Sequence, residues 1–292
     1  LPQRGVGGLV KTISTAFKLL TNKEIKLPEF SVTSTLPSIM NGGKDFSQWS
    51  KKDDFLYATM RIPVEAILGK DGVGLPDCAM AESKFEKGED VSSRMLTLVS
   101  KISEVQSKGT PDIEFALVGL LVRSQVDTGK ADDAMRTLAS LKERFEEKEL
   151  TRFMPNIDAM LCRIALFTGD TGFVDEWYHK NADLNSINFK TMKRYQYITR
   201  AMCELSYEEN DAVLLTLSPL EPFCRICGRH IDMAHIHALS AIAHYRKGDA
   251  EWKEHLKAAL DIVEEYGFIR TLSGYGAALL PLADEYFKGE KT

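Results

Sequence analysis

The sequence predicts an all-α fold: a right-handed superhelical array of antiparallel helix pairs with a period of about 40 residues. Three observations carry that expectation. Gly88, Gly129, Gly169, Gly248 and Gly289 each follow an Ala- and Leu-rich run that reads as a helix, at steps of about 41, 40, 79 and 41 residues, the mark of a repeat array. Asn210 lies near the middle of the double step. Asn is the other residue that enters the left-handed conformation at modest cost, so it is expected to end a helix where glycine ends the others. Ala81, Ala116, Ala159, Ala201, Ala241 and Ala277 recur in the first helices of successive pairs, where small side chains let neighbouring helices approach. A two-helix unit of this length cannot bury both apolar stripes alone, so successive units stack and share a core.

Residues 1–70 read as an irregular leading repeat with an extended insertion. Leu9, Ile13, Ala16, Phe17 and Leu20 have helical spacing. Pro28 and Pro37 punctuate an extended stretch, and the segment from Asn41 to Asp45 resembles the later turns. The Gly-rich run from Gly69 to Gly74 lacks the Lys-Ser or Lys-Thr of a phosphate-binding loop.

Residues 71–292 are expected to hold the regular pairs, the last one truncated. The first pair is expected over residues 77–85 and 91–105, with Met95, Leu98, Val99 and Ile102 on one stripe. Pro111 suits the first turn of the next helix. That helix, expected over 113–126, is apolar nearly all round and so is expected to be buried. Its partner, expected over 131–145, is amphipathic through Ala134, Leu138, Leu141 and Phe145. Further pairs are expected at 157–167 with 173–178, 189–205 with 212–220, and 231–245 with 250–266, before a last helix at 276–287.

Composition narrows the function classes. The formal net charge is −5, so this segment has no excess of cations with which to displace phosphate counterions and bind nucleic acid by itself. The longest apolar run, from Ala116, stops at Arg123, well short of a membrane span, and no signal peptide is visible. Cys78, Cys162, Cys203, Cys224 and Cys227 are few and odd in number, which fits a reducing cytoplasm. The chain begins at Leu1 and stops just past Gly289, where another second helix is expected; it reads as an excerpt from a longer protein.

The most specific stretch runs from Ala238 to Asp249 and on from Leu256 to Arg270, closing on Gly267-Phe268-Ile269-Arg270, with the small-residue helix from Tyr275 to Leu282 after it. It resembles the closing repeats of the large LuxR-type transcriptional regulators related to the maltose-regulon activator. The segments Leu36 to Trp49 and Gly109 to Leu117 are similar to ones seen in that group, so the resemblance covers most of Leu36 to Leu282. It implies a tetratricopeptide-like sensor region between an upstream ATP-binding module and a downstream DNA-binding helix-turn-helix. Neither flanking module is recognisable in this chain. ATP and DNA contacts are therefore carried over to no residue here, and no cofactor is expected in this segment.

Two constellations qualify as candidate sites. Cys224, Cys227 and His230, with His235 and His237 beyond, offer zinc-ligand types, but no second Cys pair supplies a fourth ligand. The alternative is a loop of partly buried thiols. Lys193, Tyr197 and Arg200 share one face of a first helix. Arg123 and Arg163 fall late in preceding first helices, so these residues, together with His237, are candidates to bind an anionic effector in a concave groove. The alternative is a solvated, internally salt-bridged face, and His237 and His244 also suit packed histidines.

No nucleophile arrangement or pair of buried carboxylates is legible, so catalysis is not expected. The expected function is effector sensing, protein interaction and oligomerisation within a LuxR-type regulator, with a small molecule or protein in the groove. DNA would be contacted only through the missing C-terminal module, and no membrane partner is expected. A free-standing scaffold that binds a peptide is the alternative.

Overall fold

A computed structural model describes residues 73–89, 97, 99–108, 110–184 and 189–289. The expected leading repeat at 1–70 and the start of the expected helix at 91–96 lie outside the described residues. Every described element is helical. They are α1 (Leu75–Glu86), α2 (Ile102–Lys108), α3 (Pro111–Asp127), α4 (Ala131–Glu147), α5 (Met154–Thr168), α6 (Thr171–Lys180) and α7 (Arg194–Ser206). They continue as α8 (Asn210–Leu217), α9 (Leu220–Ile226), α10 (His230–Lys247), α11 (Trp252–Tyr266), α12 (Ile269–Ser273) and α13 (Gly276–Gly289). No described helix is long and apolar enough to cross a membrane.

One turn geometry recurs. At the end of α3, Gly129 has φ 75° and its N–H donates to Val126 O at 3.0 Å, while Lys130 N–H reaches back to Gln125 O at 2.8 Å. The left-handed residue lets the chain reverse while satisfying carbonyls that the helix leaves unpaired. Gly88 and Gly248 do the same.

Asn210 does not, contrary to expectation: it is the first residue of α8. The left-handed position between α7 and α8 is Glu208, at φ 62°, with Glu208 N–H to Leu205 O at 3.2 Å and Glu209 N–H to Glu204 O at 2.9 Å. The register of α7 puts Glu208, and not Asn210, at the left-handed place of this turn. Gly289 is the last residue of α13, and the turn expected after it lies outside the described residues.

Two expected element boundaries also shift. The expected helix from Phe189 begins at Arg194, after a 3-10 turn over Thr191–Lys193. The expected partner over 212–220 divides into α8 and α9, with Ser218 and Pro219 between them.

Consecutive helices pack in pairs: α3 with α4, α5 with α6, α7 with α8, and α10 with α11. First helices also touch their counterparts, α1 against α3, α5 against α7, α7 against α10 and α10 against α13. The amphipathic stripe of α4 is fully buried at Ala134, Leu138, Leu141 and Phe145, against Phe115, Val118 and Ile157 of α3 and α5. Each large apolar side chain so buried contributes roughly 1.5–3 kcal/mol. The apolar helix α3 is buried along Glu114–Val118, as its all-round apolarity predicts.

The last elements return to the first. Phe268 and Tyr266 share an apolar cluster with Cys78, Met80 and Phe85 of α1. Thr271 Oγ1 donates to Glu86 Oε2 at 3.0 Å across 185 residues.

Candidate functional site

The first helices and the returning α12 surround a cavity of about 590 Å³. Its wall is drawn entirely from α1, α3, α5, α7, α10, α12, α13 and the turn at Gly274 and Tyr275. Among the described residues, none of the second helices contributes. Met160, Ile198, Met202 and Leu239 make much of the surface apolar, and a volume of this size suits a small molecule.

Four arginines face this apolar space: Arg123, Arg163, Arg246 and Arg270. Arg123 is neutralised, donating to Glu82 Oε1 at 3.0 Å and to Glu86, both of which are buried. Arg270 pairs with Asp127 and lies 4.4 Å from the centre of the Phe85 ring. Its Nε is buried with no hydrogen-bond partner among the described residues. The wall's remaining acid, Asp232, sits between Arg229 at 2.6 Å and Arg194 at 3.4 Å.

Arg163 and Arg246 differ. Arg163 donates to Thr199 Oγ1 at 2.8 Å and Tyr195 O at 3.2 Å, and its guanidinium stacks 3.8 Å from the Tyr195 ring centre. Arg246 donates to Leu205 O at 2.8 Å. Among the described residues, these guanidiniums hold only neutral oxygens. Each keeps spare N–H donors, with Arg163 half-buried and Arg246 exposed.

A neutral polar pair completes the wall. His235 Nδ1 and the Tyr275 hydroxyl are 2.7 Å apart. Burial, reinforced by the Arg163 charge, pushes the His235 pKa down to about 3, and burial raises that of Tyr275. Both are uncharged near neutral pH, so they offer hydrogen bonds without competing for an anion.

Of the residues expected to bind an effector, Arg123 and Arg163 reach the cavity. Lys193, Tyr197, Arg200 and His237 are not on its wall. On α7 the cavity face is Tyr195, Ile198 and Met202, so the Lys193–Tyr197–Arg200 stripe is turned aside. Lys193 pairs with Asp183 at 3.1 Å, and Tyr197 is fully buried beside Phe189. Arg200 bonds Glu204 Oε1 at 2.9 Å and Asn181 O at 3.0 Å while stacking on Tyr178. His237 lies 3.0 Å from His255, between Nδ1 atoms.

Cys224, Cys227 and His230 do not converge. Cys224 is fully buried in α9 and its thiol pKa is raised by burial, Cys227 is half-buried, and His230 Nε2 faces the Tyr266 hydroxyl at 3.3 Å.

Arg246, Arg270, His235 and Tyr275 were not singled out from the sequence as effector ligands. A signal for two of them was present: Tyr195, His235 and Tyr275 are spaced by the repeat period of about 40 residues and all reach the cavity. No protein-family profile, curated protein or solved structure matches the chain.

Proposed function

We propose that this chain is the effector-sensing and oligomerisation region of a LuxR-type transcriptional regulator, built as a right-handed tetratricopeptide-like superhelix. Its effector is a small organic anion bound in the cavity. The observation that carries the reading is the pair Arg163 and Arg246, which face the cavity with only neutral oxygen partners. A carboxylate or phosphoryl group would supply the missing charge, while the apolar wall takes the ligand's body.

The superhelical reading is supported by contacts between equivalent positions of successive units: Arg152 with Asp112, Gln196 with Asn156, and Tyr245 with Glu285, each 40 residues apart. The regulator reading is supported by the likeness of residues 238–282 to the closing repeats of that family. A ligand spanning α5, α7 and α10 favours one spacing of these helices, which is what signalling to attached modules requires. Binding rather than catalysis fits the commitment of the wall's carboxylates Glu86, Asp127 and Asp232 to arginines.

The free-standing scaffold is the weaker reading. An extended peptide needs an open groove, whereas α12 lies against α1 through Thr271 and Glu86.

Two experiments test the proposal. Melting temperatures measured with a panel of small mono- and dicarboxylates, phosphorylated metabolites and their neutral isosteres should rise with a subset of the anions. A panel in which no anion exceeds its neutral isostere contradicts the ligand class. Reading the gene on both sides of these codons should reveal a phosphate-binding loop upstream and a helix-turn-helix downstream. Their absence rejects the regulator.

A further inference from the structure

Away from the cavity, the hairpin of α10 and α11 gathers histidines on its opposite side. His237 and His244 are two turns apart on α10, His255 is on α11, and Glu251 lies in the turn between these helices. One potential ligand atom from each of His244, Glu251 and His255 lies within 4.8 Å of the other two. The His244 and His255 rings are stacked, with centres 5.3 Å apart and planes 12° from parallel.

The hydrogen bonds around this group are those of a metal site's outer layer. His244 Nδ1 is 2.8 Å from Asp249 Oδ2, which leaves Nε2, 3.6 Å from Glu251 Oε2, as the available nitrogen. His255 Nδ1 is 3.0 Å from His237 Nδ1, which leaves His255 Nε2 available in the same way. A ligating histidine is usually fixed like this, its second nitrogen held by a carboxylate or another acceptor.

We propose that His244 Nε2, His255 Nε2 and a Glu251 carboxylate oxygen bind one divalent transition-metal ion of the zinc class. Asp249 and His237 orient the two imidazoles. This inference is independent of the effector reading, because none of the five residues lines the cavity.

Two nitrogens and one carboxylate oxygen, with a position left for water, is a donor set that zinc accepts. Bonds of about 2.0–2.1 Å to zinc require the donors to close to separations of about 3.3 Å. Glu251, whose side chain is 65% exposed, has the freedom to move inward. Burial lowers the pKa of His255 and brings that of His237 down to about 4. Burial thus favours the neutral form of His255, the form that ligates. Bound metal would join the start of α11 to the end of α10.

Metal-free protein titrated with zinc chloride, with magnesium chloride as the hard-cation control, tests the site. The expected result is one zinc per chain, a raised melting temperature and no effect of magnesium. Cobalt chloride should give the visible absorption of a tetrahedral complex. His255→Asn and the exposed-site variant Glu251→Gln should each weaken zinc binding at least tenfold, while Cys227→Ser leaves it unchanged. Circular dichroism of Glu251→Gln establishes that the loss is not unfolding. No saturable binding at 100 µM zinc overturns the proposal, as does binding that survives His255→Asn and is lost with Cys227→Ser.

Discussion

Cys162 and Cys203, 41 residues apart in sequence, place their sulfurs 3.6 Å from each other in the core between α5 and α7. Both side chains are fully buried. Two small side chains at this contact let α5 and α7 lie close.

That burial predicts the protein's thiol chemistry. Four cysteines are buried and Cys227 alone is half-buried; burial raises the pKa of the Cys78 and Cys224 thiols, and the Cys162 contact raises that of Cys203. Ellman's reagent should therefore titrate one thiol rapidly in the native protein and all of them in denaturant. Two or more fast native thiols would contradict the packing of α5 on α7 or of α9 on α10.

Glu208 has φ 62° at a position where neighbouring units use glycine. A side chain in the left-handed region costs about 1–2 kcal/mol, partly offset by the greater entropy that glycine loses on folding. Glu208→Gly should stabilise the protein by about 0.5–1 kcal/mol, read as a higher urea midpoint with unchanged slope. An unchanged or lower midpoint would show that the turn is not strained.

The all-helical class and most pair boundaries were legible because they rest on local signals: helical spacing, helix-ending glycines and prolines in first turns. The stripe of α4 is an example, predicted and found buried at Leu138, Leu141 and Phe145. The left-handed Glu208 was not legible, since Asn210 has the better propensity and only the register of α7 decides between them. The site was half legible. Arg123 and Arg163, chosen from their place in the expected repeat, line the cavity, but a shared helix face does not say which way it turns. Lys193, Tyr197 and Arg200 form a stripe that packs against Asp183, Phe189 and Glu204. The return of α12 to α1, which brings in Arg270, joins residues 185 apart and has no local signature.

Arg123 ties that return together. It pairs with Glu82 and Glu86, whose side chains are only 2% and 3% exposed, and Glu86 also accepts from Thr271. Arg123→Met would remove the Arg123 charge from two buried carboxylates, a loss of about 3–5 kcal/mol by urea unfolding. Adding Glu82→Gln should recover part of that loss. If the single variant loses under 1 kcal/mol, the pair is not buried as described.

Acid should destabilise the protein before its surface carboxylates titrate. His237 has a pKa of about 4 and His235 about 3 in the folded chain, against about 6.5 when unfolded. The unfolded chain therefore binds more protons in this interval. The stability from keeping these rings neutral is present above pH 6.5 and declines as pH falls toward 4. The slope is up to about 1.4 kcal/mol per pH unit for His237. His237→Gln should flatten the dependence of the urea midpoint between pH 6.5 and 4.5; an identical slope in the variant would refute the assignment.

The central claim is that Arg163 and Arg246 hold an anion, and calorimetric titration tests it most directly. The anion giving the largest thermal stabilisation would be titrated into wild type, Arg163→Met and Arg246→Met. Loss of one charge-assisted contact is worth about 1.5–3 kcal/mol, so affinity should fall roughly 10- to 100-fold in each variant. Equal affinity in all three proteins would contradict the account and place the anion elsewhere.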